Sequence, residues 1–350
     1  MHDPYGALYI HVPFCTSRCA YCDFATQAVP QDSPVIDEYF ERIALDIRRA
    51  GKQGELSHVR TVYVGGGTPS HAGSRRLSSL FYMLGVSMHL TDEVEVSMEA
   101  NPESLDARLA RDLWALGVNR LSIGVQSFDD GLLRTLGRAH DADGARRAIT
   151  AAQERFENVS VDLMCGLPGQ TAAQFRASVE EAVRLGVKHV SVYPLTIEEH
   201  TPFYRMLLAG QIDEVDDDEE AAMMEEASTV LSAAGFERYA QLGFECRHNI
   251  AYWTGVPYLG IGTSAATMTQ NAERRMRVQD GQVTDGLNAR QMAAEDLMLG
   301  MRLVRGVSDE QVARAAEVAP DAPRVLADLA DRGLVAHEGG RWRPTKLGWL

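Results

Sequence analysis

Cys15, Cys19 and Cys22 stand in the run His11-Val-Pro-Phe-Cys-Thr-Ser-Arg-Cys-Ala-Tyr-Cys-Asp-Phe24. The C-x3-C-x2-C spacing brings three thiols onto one short loop. Thiolates are the usual ligands of iron–sulfur clusters, and three can hold three irons of a 4Fe–4S cube. The fourth iron is then left without a protein ligand, and an open coordination position marks a reactive centre rather than a closed structural one. Three other uses of these cysteines can be weighed. A disulfide framework fits poorly with five cysteines in 350 residues and no signal-peptide pattern. A structural zinc needs a fourth ligand, and the nearest is His11, on what reads as a strand four residues before Cys15. Plain core burial is opposed by Ser17, Arg18 and Asp23, which are polar and sit within or beside the run.

The elements that must position this loop follow a regular rhythm. Short β-branched runs at 8–12, 61–64, 94–98, 120–124, 159–163 and 190–194 alternate with amphipathic stretches at 33–50, 74–88, 106–116, 142–155 and 172–185. Such alternation predicts a parallel sheet with helices as crossovers. About six strand–helix units are too few for a closed eight-unit barrel. The expected fold class is therefore α/β, a partial, open β/α barrel of about six strands; the rival is a flat doubly wound sheet.

Polar and glycine residues gather where the strands end. Cys15 follows the first strand, Gly65-Gly66-Gly67-Thr68-Pro69 the second, Glu99-Ala-Asn101-Pro102 the third and Gln126-Ser127-Phe128 the fourth. Asp162 and Gly166-Leu-Pro168-Gly169 close the fifth. In barrels of this class the active site lies on the carboxyl-end face. The triple glycine allows a ligand to approach bare backbone, but it lacks the Lys and spacing of a phosphate loop.

The cysteine run resembles that of the radical SAM superfamily, and the similarity extends along most of the chain. Within it the chain is most similar to the group that holds oxygen-independent coproporphyrinogen III oxidase and the heme chaperone HemW. The resemblance implies a 4Fe–4S cluster on Cys15, Cys19 and Cys22, with S-adenosylmethionine (SAM) at the open iron and reductive cleavage of SAM as the usual chemistry. It also implies SAM contacts from Tyr9, Tyr21, Gly66, Gly67, Thr68, Glu99, Gln126, Arg138 and Asp162. Pro194 stands where alanine is usual, and Ala266 where HemW-like chains often carry histidine. The oxidases have a further cysteine where this chain has Phe24, and a longer segment before the cluster than the fourteen residues that precede Cys15. Both departures point to the HemW type, as does His248-Asn249-x-x-Tyr252-Trp253. The implied function is haem binding and transfer to an acceptor protein, with His248, Tyr252 and Trp253 as haem-binding candidates. An electron donor such as flavodoxin or ferredoxin is implied as well. The alternative is radical SAM decarboxylation of coproporphyrinogen III, so enzyme activity is left open. Cys246, two residues before His248, could ligate or be inert, and Cys165 reads as core.

Composition sets the remaining bounds. A formal charge of -15 disfavours nucleic acid as a partner. No apolar run is long enough for a bilayer, and the expected compartment is the reducing cytoplasm. The acidic run 213–220 reads as a solvated lead into a helix. Expected segments are a barrel at 1–235, an extension at 236–290 and a small winged-helix-like module at 291–350. That module comprises two helices at 308–316 and 322–332 and a hairpin turning at Gly339-Gly340. The chain stops after what reads as the start of another helix, which suggests truncation.

Overall fold

The strands alternate apolar and polar residues, where a parallel sheet covered on both faces would be apolar throughout. In a computed structural model, which describes residues 2–91, 93–238 and 245–349, that alternation separates an outer face from a lumen. The strands are β1 (Ala7–Val12), β2 (Phe14–Cys15), β3 (Gln27–Ala28), β4 (Thr61–Gly66), β5 (Glu95–Ala100), β6 (Arg120–Gln126), β7 (Asn158–Cys165), β8 (His189–Pro194), β9 (Tyr258–Ile261), β10 (Ala266–Gln270), β11 (Arg274–Gln279) and β12 (Gln282–Asn288). The helices among them are α1 (Pro34–Lys52), α2 (Gly73–Ser87), α3 (Ala107–Ala115), α4 (Asp130–Leu136), α5 (Ala142–Gln153), α6 (Ala172–Arg184), α7 (Pro202–Leu208), α8 (Asp217–Ala233), α9 (Arg247–Trp253) and α10 (Ala289–Gly300).

Strands β1, β4, β5, β6, β7 and β8 lie side by side in chain order and pair in parallel. Neighbours in space are thus neighbours in sequence, with no reversal of winding, which fits an open barrel and not the doubly wound alternative. The outer residues, such as Ile10, Val64, Met98, Ile123 and Val161, join Ile43, Leu80, Leu113, Ile149 and Val179 of the helices in one core. Local signals start the helices. Asp106, Asp129 and Asp141 cap α3, α4 and α5, and Thr171 with Gln174 forms a capping box on α6.

The sheet continues past the six expected strands. β9 pairs in parallel with β1, and β10, β11 and β12 follow antiparallel. β11 and β12 read Arg-Arg-Met-Arg-Val-Gln and Gln-Val-Thr-Asp-Gly-Leu-Asn. β12 is largely exposed and β11 carries three arginines with only Met276 and Val278 apolar, so the apolar pattern by which strands are recognised is weak. The expected extension at 236–290 therefore contributes strands to the main sheet; residues 239–244 within it lie outside the described residues. After α10 the module contains β13 (Val307–Ser308), α11 (Asp309–Ala316), α12 (Ala322–Asp331), β14 (Val335–Glu338) and β15 (Arg341–Pro344), with the three strands forming a separate sheet.

Arg275 fastens the extension to α10. Its side chain is almost wholly buried and reaches Glu295, Asp296 at 2.7 Å and Gln270 at 3.0 Å, while Arg277 shares Glu295. Truncation would leave Asp296 and Gln270 without that donor, Glu295 keeping Arg277. Arg275→Ala is expected to cost about 3 kcal/mol, read as a lower denaturant midpoint at unchanged slope; a shift under about 0.5 kcal/mol would contradict this assignment.

Candidate functional site

The cysteine loop leaves the carboxyl end of β1 and is framed by β2 and β3, which pair in parallel. The Gly67 amide donates to Val12 O at 2.8 Å and the Thr68 amide to Phe14 O at 2.7 Å, which lays the glycine segment against Cys15. A Cβ on Gly67 would fall 2.9 Å from Cys15 Sγ and 2.8 Å from Phe14 O. Only glycine permits that approach. Gly66 has φ +117°, and a Cβ there would meet the His11 ring at 2.6 Å.

All three cysteines are free and half-buried. Each sulfur has a polar neighbour: Thr68 Oγ1 donates to Cys15 at 3.4 Å, Arg138 Nη1 to Cys19 at 3.5 Å, and Thr26 Oγ1 lies 4.0 Å from Cys22. Burial pushes the Cys15 thiol up to about 11, so a metal must displace its proton. Among the described residues no group of three or more His, Cys, Asp or Glu converges to hold a single ion. A cube makes no such demand, because each thiolate takes a separate iron. His11, the fourth ligand a zinc site would call on, is already engaged. Its Nε2 donates to Ala25 O at 3.0 Å, so its Nδ1 accepts from the Tyr9 hydroxyl, also at 3.0 Å.

Several of the sequence-derived positions converge on the same mouth. Asn101 connects two of them: its Nδ2 donates to Thr68 Oγ1 at 2.9 Å and its Oδ1 accepts from Arg138 at 2.8 Å. Arg138 also donates to Gly124 O at 2.6 Å. Its Nε is buried with no protein partner, the kind of orphan donor that an anionic ligand group satisfies. Gln126 sits at a bulge in the β6–β7 pairing with φ 66°, a strained backbone for a residue with a side chain. Tyr21 packs with Leu132, Leu136, Met164 and Phe203 beneath the loop. Glu99 accepts from the Tyr63 hydroxyl at 2.8 Å and from the Gly66 amide at 3.0 Å, and enclosure in the lumen raises its carboxyl to about 7. Asp162 is raised for the same first reason, against hydrogen bonds from Ser191 and Ser122. The donor set, the bare glycine backbone and the unpaired Arg138 nitrogen suit a thiolate-held cluster and a charged small ligand beside it.

His248, Tyr252 and Trp253 lie elsewhere. They belong to α9, which docks at the amino ends of β4 and β5. Glu95 caps this helix by accepting from the Arg247 and His248 amides at 3.0 and 3.1 Å. His248 is 1% exposed, with Nδ1 bonded to Thr61 at 2.9 Å and Nε2 to Tyr252 at 3.0 Å. Thr61 opens β4 and Gly66 closes it, so the two groups are roughly 16 Å apart along the strand. Cys246 is buried against Glu95, and Cys165 is buried in the core. Sequence reasoning missed Thr61, Tyr63, Glu95 and Arg120; the only signal for them was a polar residue at every second strand position.

Burial holds His248 and His189 down to about 3. Unfolded histidine takes its proton near 6.5, so between these values the unfolded chain binds more protons and stability falls as pH drops. Glu99, raised to about 7, opposes this, since it is protonated first in the folded chain. The difference between variants isolates one group. His248→Gln is expected to lose about 2 kcal/mol less than the parent between pH 7 and 5, measured as Tm or denaturant midpoint; equal losses would contradict a neutral buried His248.

The Radical SAM superfamily profile matches residues 9–182 and the HemN C-terminal domain profile matches residues 287–350. The chain is 35% identical to the heme chaperone HemW of Bacillus subtilis strain 168, over 93% of this chain and 92% of that one. It is 36% identical to the heme chaperone HemW of Mycobacterium tuberculosis strain H37Rv, over 99% and 93%. Among solved structures it resembles Escherichia coli coproporphyrinogen III oxidase (HemN), a radical SAM enzyme, with a TM-score of 0.79 at 21% identity, covering 99% of this chain and 88% of that one. At that identity the likeness speaks for the fold. A singly wound open barrel with its cysteine loop after the first strand is, with these matches, a radical SAM superfamily protein, which implies a 4Fe–4S cluster and SAM. Within that superfamily the chain belongs to the heme chaperone HemW family. No helix among the described residues is long and apolar enough to cross a membrane.

Proposed function

We propose that this protein binds haem and passes it to an acceptor protein in the cytoplasm, and that Cys15, Cys19 and Cys22 hold a 4Fe–4S cluster with SAM at the iron they leave free. The observation that carries the reading is the relation to heme chaperones over nearly the whole chain. Phe24, at the position of the oxidases' further cysteine, supports it. SAM contacts fall to Gly66, Gly67, Thr68, Glu99, Gln126, Arg138 and Asp162, with Tyr9 and Tyr21 at the flanks. When bound, cluster and SAM supply one-electron chemistry fed by a donor such as flavodoxin or ferredoxin.

The chain's own residues do the rest. Thr68 and Arg138 donate to thiolate sulfurs and so offset their charge. Glu99 fixes the Gly66 amide. Tyr21 and the apolar residues beneath it keep water from the underside of the loop. Ligation of haem iron by His248 requires α9 to leave its seat, because both ring nitrogens are engaged there.

Anaerobic titration of the reconstituted protein with haem is expected to give a saturable, stoichiometric Soret band, with no decarboxylated porphyrin formed from coproporphyrinogen III, SAM and a reductant. Absence of the band from cluster-loaded protein would sink the chaperone reading. Turnover of the porphyrinogen would move the function to the oxidase while leaving the cluster reading intact.

A further inference from the structure

A column of rings runs through the lumen from α9 to the glycine segment. Tyr258 of β9 meets Tyr252 edge-on at 4.5 Å, and Tyr252 meets His248 edge-on at 4.7 Å. The His248 ring stacks on Tyr63 at 5.2 Å with 29° between planes, and Tyr9 stacks on Tyr63 at 6.2 Å and 26°. Tyr63 is thereby flanked by two rings, and its hydroxyl ends on Glu99 Oε1. The other Glu99 oxygen takes the Gly66 amide. Gly65 lies directly on this pair: a Cβ there would be 2.8 Å from Tyr63 Cε1 and 3.0 Å from Glu99 Oε1. At the lower end His248 cannot turn, since Thr61 and Tyr252 hold its two nitrogens and Glu95 holds its amide.

We propose that His248 and Tyr63 are positioning residues for SAM, acting from the far mouth of the lumen: His248 braces the Tyr63 ring, Tyr63 fixes the Glu99 carboxylate, and Glu99 sets the backbone of Gly65 and Gly66. The inference rests on the reading that SAM binds at Gly66, Gly67 and Thr68. It gives the His248 motif a role in the folded chain that needs no contact with iron.

The test is equilibrium binding of isotopically labelled SAM to anaerobically reconstituted protein, with iron content and Tm measured alongside. Tyr63→Phe removes one hydroxyl and keeps the ring; it is expected to weaken SAM binding about tenfold, the loss of one buried hydrogen bond, with cluster content unchanged. His248→Ala is expected to weaken it several-fold in the parent and to add almost nothing in the Tyr63→Phe background, because both act through the same carboxylate. Should His248→Ala not fold, Tyr252→Phe, which frees one His248 nitrogen, is expected to weaken SAM binding in the same direction. Unchanged SAM affinity in the His248 and Tyr252 variants, or losses that multiply in the double variant, overturn the proposal. So does loss of the haem Soret band in His248→Ala with SAM affinity intact. A parent protein that takes up iron but no SAM defeats the SAM-site reading instead, so the two failures are distinguishable.

Discussion

Replacing Cys15, Cys19 or Cys22 singly by serine is expected to drop iron and acid-labile sulfide from about four per chain to near zero after anaerobic reconstitution. Serine keeps the size of cysteine but offers a hard oxygen that binds iron poorly at neutral pH. Two ligands cannot hold a cube that three hold with a corner to spare, so the effect is all or nothing. Cys165→Ser and Cys246→Ser are the controls. Both side chains are fully buried, Cys165 against the Tyr193 carbonyl and Cys246 against Glu95, so these substitutions are expected to cost stability and leave iron content at the parental level. Full clusters in a Cys19→Ser protein, or cluster loss in a Cys165→Ser protein of normal Tm, would show that the wrong thiols have been assigned.

The second large effect is expected at Arg138. One guanidinium donates to Cys19 Sγ, Asn101 Oδ1 and Gly124 O. Arg138→Met strips a positive charge from beside a thiolate and leaves the Gly124 carbonyl and Asn101 oxygen without that donor. Stability is expected to fall by about 3 kcal/mol. The reduction potential of the cluster is expected to move to more negative values, on the order of tens of millivolts, because the charge that favours the reduced, more anionic cluster is gone. Arg138→Lys separates the two contributions. It restores charge but not the planar fork, so the potential should return toward the parent while much of the stability loss remains. A potential unmoved by Arg138→Met would remove this residue from the cluster's surroundings.

The parts of the fold that were legible in the sequence are those built by apolar periodicity. The six parallel strands and their helices could be found because Val62, Val64, Val96, Met98, Leu121 and Ile123 alternate with polar partners and the helices bury one face. A partial, open β/α barrel was the expectation drawn from about six strand–helix units, and the pairing order agrees with it. β11 and β12 were not legible, since Arg274–Gln279 offers only Met276 and Val278 as apolar residues and Gln282–Asn288 is largely exposed. For the site, residues at strand ends could be read one by one, but not the contacts that link them. Asn101 joins Arg138 to Thr68 only through tertiary pairing of β5 with β6. The His248 motif illustrates the opposite difficulty. Its residue types suggested a ligand, and only the fold shows that Thr61 and Tyr252 occupy both nitrogens. Polar residues inside strands, such as Glu95, Arg120 and Ser160, mark the second face of an alternating strand, and only the curved sheet shows that this face lines a lumen.

The most direct measurement is electron paramagnetic resonance of the dithionite-reduced, reconstituted protein with and without SAM. A cube held by Cys15, Cys19 and Cys22 alone has one iron open to small ligands, so addition of SAM is predicted to change the signal of the reduced cluster, and the change should saturate. A signal indifferent to saturating SAM, or a colourless protein that retains zinc after reconstitution with iron and sulfide, would contradict an open iron corner at the mouth of this barrel.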